Sequence, residues 1–158
     1  MLKALVVKWN RDRGLLDNYD PSLELRMLSE EAREFYMAET LAHMLAERAD
    51  FEFVLYGTKA KFGSQKLSSH IDMTLYLATY NDIIDWAEAV AEDMDRCLES
   101  ALGPMCHETA GLIRLALGIV VQCNNLKGKN KSDGKIVKIK NPPDPVALIR
   151  EQLDRMGF

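Results

Sequence analysis

Apolar side chains recur at the three- and four-residue spacing of amphipathic helices along most of the 158-residue chain. This spacing predicts a short helix from residue 2 to about Gly14, a second over 21–38 and a third over 40–61. The second begins at Asp20-Pro21, because an aspartate followed by proline is a typical helix N-terminus. We therefore expect three helices in the first 61 residues, with a break near 39–40; the alternative is that the second and third form one bent helix.

The second part of the chain predicts two long helices and one short one. Residues 82–102 and 105–124 each repeat an apolar stripe, and the glycine and proline between them form a strong helix break. Residues 64–81 fit a strand and a helix equally well. A lysine-rich loop and a proline-rich run then lead to a short amphipathic helix over 146–156. The pattern predicts an all-α fold, a helical bundle that forms a single domain over 1–158.

Composition narrows the class of protein. Hydrophobic residues make up 47% of the chain, which is enough to bury a core, yet no apolar run approaches the roughly 18 residues that a membrane span needs. Three cysteines without a CxxC pair indicate free thiols, not a disulfide framework or a zinc site. The N-terminal residues do not resemble a signal peptide. We therefore expect a cytoplasmic protein with no membrane partner.

Charge is concentrated in three segments, although the net charge is only −4. Residues 17–52 contain ten acids and three arginines, and residues 81–101 contain seven acids and one arginine. Residues 127–140 contain six lysines and one aspartate. Nucleic-acid binding favours a basic domain, so no nucleic-acid partner is expected. The pattern better suits a small phosphorylated anion, bound beside a cation that the acids hold.

Two pairs of acids have the spacing of a shared site. Glu31 and Glu34 are three residues apart, as are Glu47 and Asp50, so each pair lies on one face of its predicted helix. Two such helices packed antiparallel would gather four carboxylates, which is costly unless a divalent cation neutralises them. Glu30 adds a fifth acid beside the first pair. The simpler alternative is a solvated acidic face, the usual interpretation of any single pair.

The same acids resemble the signature of a known family. Glu30-Glu31-x-x-Glu34, followed after twelve residues by Glu47-x-x-Asp50, matches the EExxE…ExxD pattern of the MazG-like all-α nucleoside triphosphate pyrophosphohydrolases. Asn124-x-x-Lys127, with the segment 133–144 after it, is similar to the C-terminal part of phage and bacterial members. Residues 64–103 have no recognised counterpart and are interpreted as an inserted helical segment. Residues 125–158 are the lysine-rich C-terminal loop and tail.

The resemblance implies a magnesium-dependent hydrolase that converts a (deoxy)nucleoside triphosphate to the monophosphate and pyrophosphate, with Mn²⁺ as a possible substitute. By position, Mg²⁺ would be held by Glu31, Glu34, Glu47 and Asp50, with Glu30 as a further catalytic candidate. The implied substrate contacts are Asn124, Lys127, Lys135, Lys138, Trp9 and Tyr56. Trp9 could stack on a base, although its place on the apolar stripe of the first helix favours a core tryptophan. For Tyr56, packing explains the residue equally well. The family also implies a homodimer or higher homo-oligomer, which completes so small a core.

Two other functions stay open. Phosphoribosyl-ATP pyrophosphohydrolase-like chemistry shares the implied fold and acidic motif. A non-catalytic helical interaction protein would instead expose its acids as a solvated face and bind an acidic partner through its lysines. The three histidines, His43, His70 and His107, lack the spacing of metal ligands, so surface or helix-cap roles are expected for them.

Overall fold

The computed structural model describes residues 1–65, 73–103, 108–127, 131–132, 135–136 and 141–158. In these residues the helices are α1 (Leu2–Asp12), α2 (Pro21–Met37), α3 (Leu41–Gly63), α4 (Met73–Leu102), α5 (Thr109–Asn125) and α6 (Pro145–Met156). A small antiparallel hairpin of β1 (Lys131–Ser132) and β2 (Lys135–Ile136) lies between α5 and α6. The predicted all-α class is confirmed. Lys138, His70, His107 and Cys106 lie outside the described residues.

Local capping chemistry separates α2 from α3. The Asp20 carboxylate accepts hydrogen bonds from the backbone N–H groups of Ser22 at 3.0 Å and Leu23 at 3.4 Å. The Thr40 hydroxyl accepts one from the backbone N–H of His43 at 3.2 Å. Each helix therefore has its own N-terminal cap, and the predicted break near residues 39–40 is confirmed.

The helix predicted from residue 82 begins earlier, at Met73. Residues 73–81, which fitted a strand and a helix equally well, are therefore helical. Tyr76 and Tyr80, one helical turn apart, both stack on Phe62 of α3, with ring centroids 5.2 Å and 3.7 Å away. Tyr19 meets the same rings edge-on. These aromatic contacts with distant parts of the chain favour the helix where the local pattern is ambiguous.

Helix α4 is a wall of the core. It packs against α2, α3 and α5, and its buried side chains are Ile83, Ile84, Ala87, Ala91, Met94 and Leu98. Its acids also meet cations of α3, since Arg48 Nε lies 2.7 Å from Asp95 Oδ1 and Lys59 Nζ lies 2.8 Å from Glu88 Oε1. The segment 64–103, interpreted as an insert, thus contributes α4, whose buried side chains form part of the core, and part of the negative charge of α4 is neutralised.

Helix α3 occupies the centre of the bundle and packs against all five other helices described. It is buried on most sides, so it also buries polar side chains, which must find partners. Lys61 Nζ lies 2.6 Å from Oε1 of the fully buried Glu24 on α2, and the Thr58 hydroxyl donates to the other oxygen of that carboxylate at 2.6 Å. None of the described helices combines the length and apolar composition that crossing a bilayer requires.

Candidate metal centre

Helices α2 and α3 bring three acidic side chains together. The helices pack against each other and are separated in sequence by residues 38–40 alone. Small side chains along them are buried, namely Ala32, Ala42, Ala46 and Ala49. Carboxylate oxygens of Glu31, Glu34 and Glu47 all lie within 4.8 Å of one another. The two helices thus present acids from two separate sequence pairs to one point in space.

A cavity of about 280 Å³ opens beside the three acids Glu31, Glu34 and Glu47, which are together called the carboxylate group. One wall consists of the four acids with the predicted spacing: Glu31, Glu34, Glu47 and Asp50. The other wall is formed by the end of α5 and the chain around the start of α6: Val120, Cys123, Asn124, Lys127, Pro142, Pro143 and Pro145. An acidic wall therefore faces a largely apolar one that carries a single described cation, Lys127.

Ionisation of Glu31 is unfavourable. Burial, together with the negative charges of Asp50, Glu34 and Glu47, raises its pKa to about 8, against the opposing effect of the positive charge of Lys127. Near neutral pH, Glu31 therefore holds a proton when no cation is present. A bound divalent cation would have to displace that proton, so metal binding at this site is coupled to pH.

His43 contacts Glu47, one member of the carboxylate group. The four-residue spacing of the two residues on a predicted helix could have suggested this contact. His43 Nε2 lies 3.0 Å from Glu47 Oε1, one helical turn away on α3. Glu47 is only 9% exposed. A contact of this kind orients a carboxylate and leaves its second oxygen for a cation. The expected surface role of His43 is thus incomplete, because the side chain also supports a candidate ligand.

Three of the residues proposed from the sequence stand apart from the described lining of the cavity: Glu30, Trp9 and Tyr56. Stacking on a base was the less favoured interpretation of Trp9, and its ring meets Phe53 edge-on at 5.1 Å with the Arg13 guanidinium over it. Trp9 is a core residue, since only 8% of it is exposed. Glu30 and Tyr56 are half-buried. Only the backbone of Lys135 is described, in β2, and Lys138 lies outside the described residues.

Comparison with known proteins adds no relative. The chain matches no protein-family model, no curated protein and no solved structure. The assignment of the candidate site is therefore supported by its geometry and by the acidic motif of the sequence, and not by a known relative.

The raised pKa of Glu31 predicts a metal-free protein whose stability falls with rising pH. Between its ordinary value of 4.5 and about 8, the folded state binds more protons than the unfolded state, so the free energy of unfolding decreases over that interval. Glu31→Gln removes this loss. Because a tenfold change in proton affinity is worth about 1.4 kcal/mol, we expect a Tm several degrees above wild type at pH 8 in EDTA, and near-equal Tm values at pH 4.5.

Glu39→Gln is the matched control for Glu31→Gln, since Glu39 is exposed and lies between the same two helices. It should melt like wild type at both pH values. Parallel pH profiles for wild type and Glu31→Gln would contradict the assignment of Glu31 as the buried, protonated member of the group.

Proposed function

We propose that the protein is a magnesium-dependent nucleotide pyrophosphohydrolase of the MazG-like all-α type, which cleaves a (deoxy)nucleoside triphosphate into the monophosphate and pyrophosphate. The observation that supports the proposal is the meeting of Glu31, Glu34 and Glu47 within 4.8 Å, across a cavity from Lys127. A triphosphate uses both parts of this arrangement. A cation held by the carboxylates would offset part of its negative charge, and the Lys127 ammonium would bind a phosphate oxygen.

The chemistry of the donor set fits a hard divalent cation. All three side chains offer carboxylate oxygens, the ligands that Mg²⁺ prefers, and Mn²⁺ accepts the same donors. Three carboxylates this close repel one another unless a proton or a cation neutralises them. Glu31, Glu34 and Glu47 would hold the ion, while Asp50 adds negative charge to the same wall.

When bound, the cation would offset phosphate charge and lower the pKa of a water molecule. The protein's own groups then position the substrate. Lys127 offers an ammonium for a phosphate oxygen, as a flexible point charge. Asn124 adds a side-chain amide to the same wall. The proline surface of 142–145 borders the cavity and offers an apolar face to the rest of the nucleotide.

The proposal also includes a homodimer. Large apolar side chains are exposed on α2 and α4, namely Leu25, Tyr36, Met37, Leu75, Leu77 and Trp86, and such surfaces are typical of interfaces. We expect light scattering coupled to size-exclusion chromatography to give about twice the 17.9 kDa chain mass, or a higher multiple of it. Trp86→Lys should shift the mass toward one chain, whereas Arg150→Glu on the exposed side of α6 should not. A wild-type mass of one chain at micromolar concentration would contradict the dimer.

Turnover is the direct test of the activity. We expect pyrophosphate release from at least one of the eight common nucleoside triphosphates in Mg²⁺. Glu47→Gln should lower kcat/KM about a hundredfold or more, because it removes a ligand, whereas Glu39→Gln should leave it unchanged. A folded wild type that turns over none of the eight contradicts the (d)NTP proposal. Cleavage of phosphoribosyl-ATP alone would instead support the related activity.

Metal binding is tested separately from turnover. Because a ligand that binds only the folded state stabilises it, Mg²⁺ should raise the Tm of wild type by several degrees, and Glu47→Gln should abolish the rise. The concentration of Mg²⁺ needed should be lower at pH 8.5 than at pH 6.5, because less of Glu31 then carries the proton that the metal displaces. A non-catalytic interaction protein would show neither effect.

A further inference from the structure

Arg13 is a buried cation that contacts the backbone of Lys127. It follows α1, is 8% exposed, and lies with its guanidinium 4.2 Å from the centre of the Trp9 ring. Its Nη2 donates hydrogen bonds to the carbonyl oxygen of Lys127 at 2.9 Å and to that of Asn124 at 3.3 Å. Residues 114 positions apart in the chain are thus tied together just beyond the end of α5.

The two carbonyls that Arg13 holds lie at and just beyond a helix end, since Asn124 is in the last turn of α5 and Lys127 is two residues past its end. The last carbonyls of a helix lack the partners that the helix interior supplies, and a cation satisfies them well. The Asn124 carbonyl also accepts hydrogen bonds from Trp9 Nε1 at 2.8 Å and from the backbone N–H of Lys127 at 3.1 Å. Trp9 and Arg13 are one turn apart, so one face of α1 clamps the point where the chain leaves α5.

Burying a guanidinium here is costly. Burial lowers the pKa of Arg13, which records the loss of hydration around its charge. An apolar side chain of similar volume would fill the space without that loss. What arginine adds is a planar set of donors: Nη2 bridges the two carbonyls while Nη1 donates to the Trp9 carbonyl at 3.4 Å, an array that a lysine ammonium on a flexible stem reproduces less well. The arrangement therefore fixes a backbone position as well as filling space.

We propose that Arg13 is the positioning residue for Lys127: by holding its carbonyl, Arg13 sets where the Lys127 ammonium stands across the cavity from the carboxylate group. Lys127 lines that cavity, whereas Arg13 is absent from its described lining. Arg13 thus acts on the ligand through Lys127. This assignment rests on the proposed function, in which Lys127 binds a phosphate oxygen.

The test combines Arg13→Met with Lys127→Met in a double-mutant cycle. With the best nucleotide, Arg13→Met alone should raise KM roughly tenfold, the loss expected when one charge-assisted contact is misplaced, and should change kcat less. In the Lys127→Met background, the same substitution should raise KM less than twofold. Arg13→Lys, which keeps the charge, should recover part of the loss. Arg11→Met is the matched control, because Arg11 is an exposed cation on the same helix.

Two further readouts separate positioning from general damage. The Mg²⁺-induced rise in Tm should persist in Arg13→Met, since the carboxylate group is untouched. Amide hydrogen exchange at Leu126 and Lys127 should become faster in Arg13→Met but not in Arg11→Met, because the clamped turn is released. If Arg13→Met does not fold, the same comparisons are made with Arg13→Lys, for which intermediate effects are expected.

The outcomes are distinguishable. Equal losses in the two backgrounds, or unchanged exchange at residues 126–127, would overturn the role of Arg13 while leaving the hydrolase intact. A wild type without turnover on any nucleotide would refute the proposed function. In that case the exchange measurement alone decides whether Arg13 fixes Lys127, with faster exchange supporting it and unchanged exchange overturning it.

Discussion

The packing of α2 against α3 brings the carboxylates of Glu31, Glu34 and Glu47 close together, although their negative charges repel one another. Two separately capped helices with small buried side chains between them set the backbone positions from which these groups extend. The protein therefore keeps Glu31 protonated near neutral pH, or admits a cation. The shape of the cavity, the contact of His43 with Glu47 and the nearby charge of Lys127 all bear on which of these occurs.

Other buried charges show by contrast why this group is unusual. Glu24 is fully buried and meets Lys61 and the hydroxyl of Thr58, while Arg48 meets both Glu52 and Asp95. In each case the buried charge has at least one partner of opposite sign, as structural ion pairs require. Across the cavity, four acids face one described lysine. Burial and the neighbouring acids together raise the pKa of Glu31, and a perturbed pKa in a cavity is typical of a binding site.

The sequence predicted those features that depend on local chemistry. Helix periodicity and the caps at Asp20 and Thr40 act within a few residues, so α2, α3 and their break could be located in advance. The spacing of the acids likewise predicted a shared face. The start of α4 depends on rings that meet Phe62 from distant positions, and a pattern of neighbours does not reveal such contacts. His43 and Glu47 are four residues apart, a spacing that predicts a contact on a helix. Arg13 and Lys127 are 114 residues apart, and no sequence pattern indicates that they meet.

The two walls of the cavity belong to different parts of the bundle, so their separation depends on helices that do not line it. The acidic wall moves with α2 and α3, and Lys127 moves with the end of α5. Helix α1 packs against both α3 and α5, and its last turn binds the carbonyl groups at that end. The affinity for a ligand that bridges the two walls would therefore depend on how α1 packs. Trp9 then has a role in the site that differs from stacking on a base, because its indole N–H helps to hold the backbone from which Lys127 extends.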